Sequence, residues 1–434
     1  MIKPNFTVWY NKFTCFPEDR DGSCKCFYER EHMTKDNFIQ EGDMKLVKKN
    51  VLRSAVIGAM ALGLVGLGSQ SQANEPYTAT FYVAGMGGHF AKADMTIEPS
   101  SPSPLHLHAL HRIIIGDKDN HPTHDARIDK ENRNVMFWST YHIDKETGMP
   151  HVGKSDLLTG EILKDVNVPV PPEATHTHHM YCASAQTKDY YLPITMTNKA
   201  YIDVFRKSDL KHVNRVFLEG TDADIHKPYL FYHGTNSPDM KKILITINEA
   251  EKPQGAPIGK MDMFLLDADA LVKGKVVVLA HGIAPGAPGK TMSFRQYFSP
   301  DGKLIANSGA DRMYLIDAKT LKVLDVEMMG SLEENHDAIF TPDSKYVIAT
   351  SRTKTLMSGN ASKITLKNPS CASELAPKGE LGPQDYIMDG QLKLYDVKAR
   401  KFIGQATSVC LPCHNEEGMD DNAVLCGIDA NWKS

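Results

Sequence analysis

The residues best equipped for chemistry stand near the C-terminus, where Cys410-Leu411-Pro412-Cys413-His414 completes a C-x-x-C-H run. Two thiols at this spacing bond covalently to the vinyl groups of a porphyrin, and the adjacent imidazole is then placed to ligate iron from one face. The run points to haem c, anchored by Cys410 and Cys413 with His414 as proximal ligand. Met419, five residues beyond His414, is the local candidate for the second axial position, and His336 or His124 is the long-range one. The alternative chemistry for the pair is a small disulfide, because export places thiols in an oxidising compartment. Only about 20 residues follow the run, fewer than a free-standing cytochrome domain needs, so a haem here must pack against the rest of the chain.

A second set of donors is imidazole alone. His336 precedes Asp343 by seven residues, His414 precedes Asp421 by seven, His124 precedes Glu131 by seven, and His233 precedes Asp239 by six. With His178 and His179 they form a candidate ligand set for copper or zinc, the ions that imidazole clusters suit. His226 and His281 are placed in loops nearby. Each histidine taken singly also reads as a hydrogen-bonded rim or loop residue. His106, His108 and His111 form a weaker metal candidate beside Pro102 and Pro104. Gly85-Met86-Gly87-Gly88 has no helix after it and reads as a turn rather than a phosphate cradle. Spacing brings out no Ser/His/Asp triad and no carboxylate pair, so no catalytic residue is assigned.

The elements that must position these side chains are repeats. Ser237-Pro238-Asp239-Met240-Lys241, Ser299-Pro300-Asp301-Gly302-Lys303 and Thr341-Pro342-Asp343-Ser344-Lys345 each precede a short apolar run. Weaker copies stand at Asp129 to Arg133 and at Thr187-Lys188-Asp189. Each is a tight turn feeding a strand. A second signature, a strand ending in Asp and a turn, occurs at Tyr314 to Thr320, Leu394 to Lys398 and Phe264 to Asp269. The unit returns every 40 to 60 residues or so without helical periodicity, as propeller blades do. The reading is an all-β propeller of six to seven four-stranded blades. Segments 100–120 and 270–295 are where a seventh blade would sit. The ring closes by pairing a C-terminal strand at Ala423 to Gly427, taken as the second of its blade, with N-terminal strands at Thr78 to Val83 and Phe90 to Ile97. A β-sandwich has no reason to repeat one turn at this spacing.

On these turns and strands the chain resembles YVTN-type and haem-d1-type propellers, over roughly residues 120 to 434. The paired histidines His178 and His179 are similar to those in the catalytic propeller of nitrous oxide reductase. That resemblance implies a histidine ring able to hold copper at the channel mouth, as in nitrous oxide reductase or thiocyanate dehydrogenase. The cupredoxin domain and twin-arginine leader expected for nitrous oxide reduction are not among the motifs of this chain.

The address comes from residues 44–73, where Lys45, Lys48, Lys49 and Arg53 precede the apolar run Ala55 to Leu67 and Ser71-Gln72-Ala73 ends in a small-x-small site. This is the pattern of a secretory signal peptide, and the run is shorter than the roughly 20 residues a bilayer span requires. Residues 1–43, with Cys15, Cys24 and Cys26, then precede the expected start of the protein. The mature chain, 74–434, is expected in the periplasm of a Gram-negative-type cell, without a membrane span. It keeps Cys182, Cys371, Cys410, Cys413 and Cys426, an odd number. A Pro-, Gly- and Ser-rich stretch, 358–389, reads as a loop insertion. With 41% hydrophobic residues the 434-residue chain can bury a large core, and its net charge of −4 gives no electrostatic case for nucleic acid. The expected partner is a periplasmic redox protein or a small-molecule substrate. The three resulting function classes are a haem c electron carrier, a copper-dependent oxidoreductase and a non-catalytic binding propeller.

Overall fold

The structure, a computed structural model, describes residues 9–18, 23–32, 75–85, 88–117, 119–174, 180–224, 227–330, 333–353, 391–409 and 425–433. The expected leader, the expected insertion and the whole C-x-x-C-H run lie outside the described residues. The chain divides into two units at Gln70/Ser71. In the first, β1 (Trp9–Glu18) and β2 (Ser23–His32) pair as an antiparallel hairpin.

The second unit is a propeller of six four-stranded antiparallel sheets. Blade one contains β3 (Tyr77–Gly85), β4 (His89–Ile97) and β5 (Leu105–Ile114), and blade two β6 (Arg127–Ile128), β7 (Val135–Ser139), β8 (His151–Asp156) and β9 (Ile162–Asn167). Blade three is β10 (Tyr181–Gln186), β11 (Tyr190–Thr195), β12 (Tyr201–Arg206) and β13 (His212–Phe217). Blade four runs β14 (Tyr229–Asn236), β15 (Lys242–Ala250), β16 (Pro257–Asp267), the short helix α1 (Ala268–Val272) and β17 (Val278–Pro285). Blade five is β18 (Gln296–Phe298), β19 (Leu304–Ser308), β20 (Arg312–Asp317) and β21 (Val323–Met328). Blade six is β22 (Glu333–Phe340), β23 (Tyr346–Thr353), β24 (Gln391–Asp396) and β25 (Lys401–Ser408). The last strand, β26 (Leu425–Lys433), pairs with β3 and completes blade one.

The C-terminal strand therefore occupies the first and innermost position of its blade, not the second, packing against β22 on one side and β6 on the other. No seventh blade hides in the two ambiguous segments, because Leu105–Ile114 and Val278–Pro285 are outer strands of blades one and four.

The repeated turns explain why the chain folds this way. In Ser237, Ser299 and Thr341 the backbone N–H closes the turn onto the carbonyl of Lys242, Leu304 or Tyr346, at 2.8, 2.8 and 2.9 Å. The hydroxyl of each donates to the Asp two residues on, and accepts from the N–H five residues on, at 3.0, 2.9 and 3.1 Å. The fourth turn residue must be left-handed, with φ of 57° at Met240 and 63° at Ser344. Gly302, with φ 70°, supplies this conformation without the Cβ penalty. The weaker copies also close by a backbone bond but over other spans, Asp129 N–H onto the carbonyl of Val135, six residues on, and Thr187 N–H onto that of Tyr190, three residues on.

Alternation along the strands then fills each gap between blades with its own apolar core. Six such cores run around the ring, for instance Phe90, Ile128 and Trp138 between blades one and two, and Ile245, Leu266 and Ile202 between blades three and four. A seventh apolar patch, Tyr141, Cys182, Met196, Phe231, Met292 and Phe294, sits where inner strands enter the centre. Burial of apolar area at about 25 cal/mol per Å² makes the inter-blade cores the main source of stability and leaves the inner strands to position the site.

Candidate metal centre

The inner strands run parallel about the axis, so residues at one distance from the turn form one layer of the channel. His124, Cys182, Phe294 and His336 each lie five residues before the first residue of their turn, whereas Tyr232, at the same count in blade four, packs into the core between blades three and four. The structure brings three of them together: donor atoms of His124, Cys182 and His336 lie within 4.8 Å of one another, and all three side chains are buried. His124 Nδ1 is 2.7 Å from Cys182 Sγ, and the His124 and His336 rings meet edge-on with centroids 4.9 Å apart. Tyr141 packs on His124 at 4.3 Å and Phe294 stacks on His336 at 4.4 Å.

His233 is one residue out of this register and stands apart from the triad. It packs between Phe231, at 4.7 Å, and Phe294, at 6.2 Å. Burial and the neighbouring Arg295 charge pull its pKa down to about 3, so it is a neutral imidazole. His281 lies on the outer strand β17, bonded to Asp262 at 2.9 Å, far from a loop position. His106, His108 and His111 occupy the outer strand β5, where His108 bonds Thr96 at 2.8 Å. His178, His179, His226, Cys410, Cys413, His414 and Met419 lie outside the described residues.

Beneath the triad the next layer is ionic and buried. Arg295 and Asp125 are fully buried and bonded to each other, and Arg295 also donates to the His124 carbonyl. Asp125 accepts from Ser184 and, at 3.2 Å, from the Tyr191 hydroxyl. Arg127 lies 3.7 Å from Asp125 and 3.8 Å from Asp337. Burial opposes the charge on Asp125, but Arg295 and Arg127 outweigh it and hold the carboxyl below its ordinary range. At Asp337 burial wins against the same two arginines and pushes the pKa up to about 6. Gly427 of β26 lets this layer close, since a Cβ there would sit 2.6 Å from Arg295 Nη1.

Histidine and cysteine together suit copper or zinc, with bonds near 2.0 Å to nitrogen and 2.3 Å to sulfur. Two donors on one such ion stand about 3.5 Å apart, so the 2.7 Å His124–Cys182 contact is a hydrogen-bond contact, and an ion bound between them would require the two side chains to separate. The positive charge of Arg295 interacts electrostatically with Cys182, a surrounding that favours a thiolate. The donor set therefore fits a borderline or soft transition metal. A second group, His121, His151 and Asp165, is also compact. Its hydrogen bonds are already filled: His151 reaches Asp165 at 3.0 Å and Asp144 at 2.9 Å, and His121 reaches Asp165 at 3.0 Å.

Sequence reasoning missed Cys182, although the signal was present. Counting seven back from Asp189, as from Asp343 to His336, lands on Cys182, and the same count from Asp239 lands on Tyr232 instead of His233. Arg295 and Asp125 carried no such signal, because a buried ion pair across the channel depends on two distant blades.

No protein-family model and no curated protein sequence matches the chain. Among solved structures it is similar to the Dos1 propeller, at 12% identity and TM-score 0.38 over 73% of this chain and 66% of that one. A functionally unknown protein from Desulfotomaculum acetoxidans matches at 12% identity and TM-score 0.41, over 81% of this chain and 98% of its own. The dihydro-heme d1 dehydrogenase NirN, in complex with DHE, matches at 11% identity and TM-score 0.38, over 76% of this chain and 53% of its own. The chain thus spans about two thirds of the Dos1 propeller chain and about half of the NirN chain. These likenesses concern fold alone. The fold and inner-strand layers define a β-propeller with a buried histidine–cysteine cluster on its axis.

Proposed function

We propose that the chain is an exported redox propeller whose central His124, Cys182 and His336 hold a copper ion. The observation that carries this reading is the convergence of these three buried donors from three different blades. Bound there, copper supplies single-electron transfer, the chemistry that the soft donor set favours. The protein's own residues do the rest. Arg295 fixes the His124 backbone and, with Asp125, sets the imidazole's approach. Tyr141 and Phe294 hold the two rings in orientation, and Phe231, Met196 and Met292 keep water from the cluster.

A second reading, single-electron transfer through covalent haem c at Cys410, Cys413 and His414, is favoured by the complete C-x-x-C-H run. Metal analysis of protein purified from the periplasm of a host with cytochrome c maturation separates the two. About one copper per chain, lost in His124→Ala and His336→Ala, supports the first reading, and its absence overturns it. Haem staining that survives denaturing electrophoresis supports the second, and an intact mass without added porphyrin overturns it.

A further inference from the structure

At the far end of the channel, where the inner strands run out into their turns, lies a pocket of about 180 Å³. It is walled by five of the six blades: Asp429 from β26, Arg127 and Lys130 from β6 and its turn, and Gln186, Asn236 and Phe298 from β10, β14 and β18. The ionic layer of Asp125, Arg295 and Asp337 separates it from the histidine–cysteine cluster.

Two cations face this pocket without full partners. Arg127 is only 4% exposed, its Nη1 donates to the Ile428 and Ala126 carbonyls at 3.2 and 3.4 Å, its ion pairs with Asp125 and Asp337 are long, at 3.7 and 3.8 Å, and among the described residues its Nε and Nη2 have no hydrogen-bond acceptor. A buried guanidinium with idle donors is costly unless an acceptor arrives. Lys130 donates to the Tyr297 hydroxyl at 3.2 Å, and no carboxylate among the described residues lies within ion-pairing distance of its ammonium. The nearby cations and anions are otherwise matched, Arg295 on Asp125 and, at 2.7 Å, Lys207 on Asp129. Asp429 is engaged by Ile128 N–H at 2.8 Å and by the Tyr297 hydroxyl at 3.0 Å.

We propose that this pocket binds a short-chain monocarboxylate, its carboxylate forked onto Arg127 and capped by Lys130, its aliphatic body against Phe298, Pro238 and Pro300. A planar carboxylate matches the guanidinium fork in a way a single-point anion does not. At about 30 Å³ per water, the pocket displaces roughly six waters, room for a ligand of a few carbons. The apolar wall distinguishes such a ligand from a bare inorganic oxyanion.

The test is ligand-observed NMR titration of the full chain with propionate, using propionamide and nitrate as probes of charge and shape. Saturable propionate binding with Kd on the order of 1 mM or tighter is expected, at least about tenfold weaker for propionamide and for nitrate. Arg127→Gln abolishes it. Lys130→Gln, at the pocket rim and outside the ionic layer, keeps the fold by circular dichroism and weakens binding by about tenfold or more. Absence of saturable propionate binding, equal binding of propionamide, a preference for nitrate, or an unchanged Kd in Lys130→Gln each overturns the proposal. None of these readouts depends on metal or haem, so its failure and that of the redox reading are separable.

Discussion

Replacing Arg295 with Met tests the ionic layer on which the candidate centre rests. Arg295 and Asp125 are both fully buried, and the guanidinium also serves the His124 carbonyl, with Asp337 4.0 Å away. Removing one member of such a network strands the other, at a cost of about 3–5 kcal/mol. Asp125 keeps Ser184, Tyr191 and Arg127, which places the loss at the lower end, about 3 kcal/mol. An unfolding entropy of about 2.1 cal/mol/K per residue, over the roughly 360 residues of the unit Ser71–Ser434, gives about 0.75 kcal/mol/K. Scanning calorimetry of Arg295→Met is expected to show a Tm about 4 °C lower. The double variant Arg295→Met/Asp125→Leu, which removes both charges, is expected to lose less than the sum of the two singles, because neither partner is left stranded. A single variant within about 1 °C of the parent, or fully additive losses, would refute the reasoning.

Two other perturbations follow, one from the same layer and one from the His151 group. Gly427→Ala drives a Cβ to 2.6 Å from Arg295 Nη1, which cannot retreat in a fully buried layer; a loss of about 1–3 kcal/mol in urea unfolding is expected, and an unchanged midpoint would contradict the packing described. The His151 network predicts a pH signature. Burial opposes protonation of His151, yet Asp165 and Asp144 outweigh it and raise its pKa, while the two histidines hold Asp165 down at about 2 against its own burial. The histidine's contribution is thus fully present below its unfolded pKa of about 6.5 and lost as pH rises through its higher folded value, and that of Asp165 is lost only as pH falls through about 2. The stability gap between the parent and His151→Gln should be widest near about pH 5 and narrow at about pH 9. A gap that widens with pH would reverse the assignment.

The fold was legible because its turns are local chemistry. A Ser or Thr followed by Pro and Asp closes the same hydroxyl and N–H bonds wherever it stands, as at Ser237, Ser299 and Thr341, and the spacing of such turns reports the blade. Blade number was harder to read. Strands such as Leu105–Ile114 and Val278–Pro285 are mostly half-buried or exposed at a sheet edge, and look alike whether they end one blade or begin another. The position of β26 was also obscure, because the seven-residue count from His414 to Asp421 makes Ala423 to Gly427 look like a strand that follows a turn, whereas β26 is the innermost strand of blade one. In the site, His124 and His336 were found by register. Cys182 shares that register, but a cysteine among histidines breaks the residue-type pattern, and His233 keeps the type while standing one residue off. The Arg295–Asp125 pair joins residues 170 positions apart, which no local pattern exposes.

The central claim is that Cys182 and two histidines form one metal site, and its most direct test is an anaerobic titration of the purified protein with Co²⁺ as a spectroscopic probe. One equivalent is expected to produce a thiolate-to-cobalt charge-transfer band that saturates and vanishes in Cys182→Ser, with about 10- to 100-fold weaker affinity in His124→Ala. A titration that shows no such band, or a band that persists in Cys182→Ser, would contradict it.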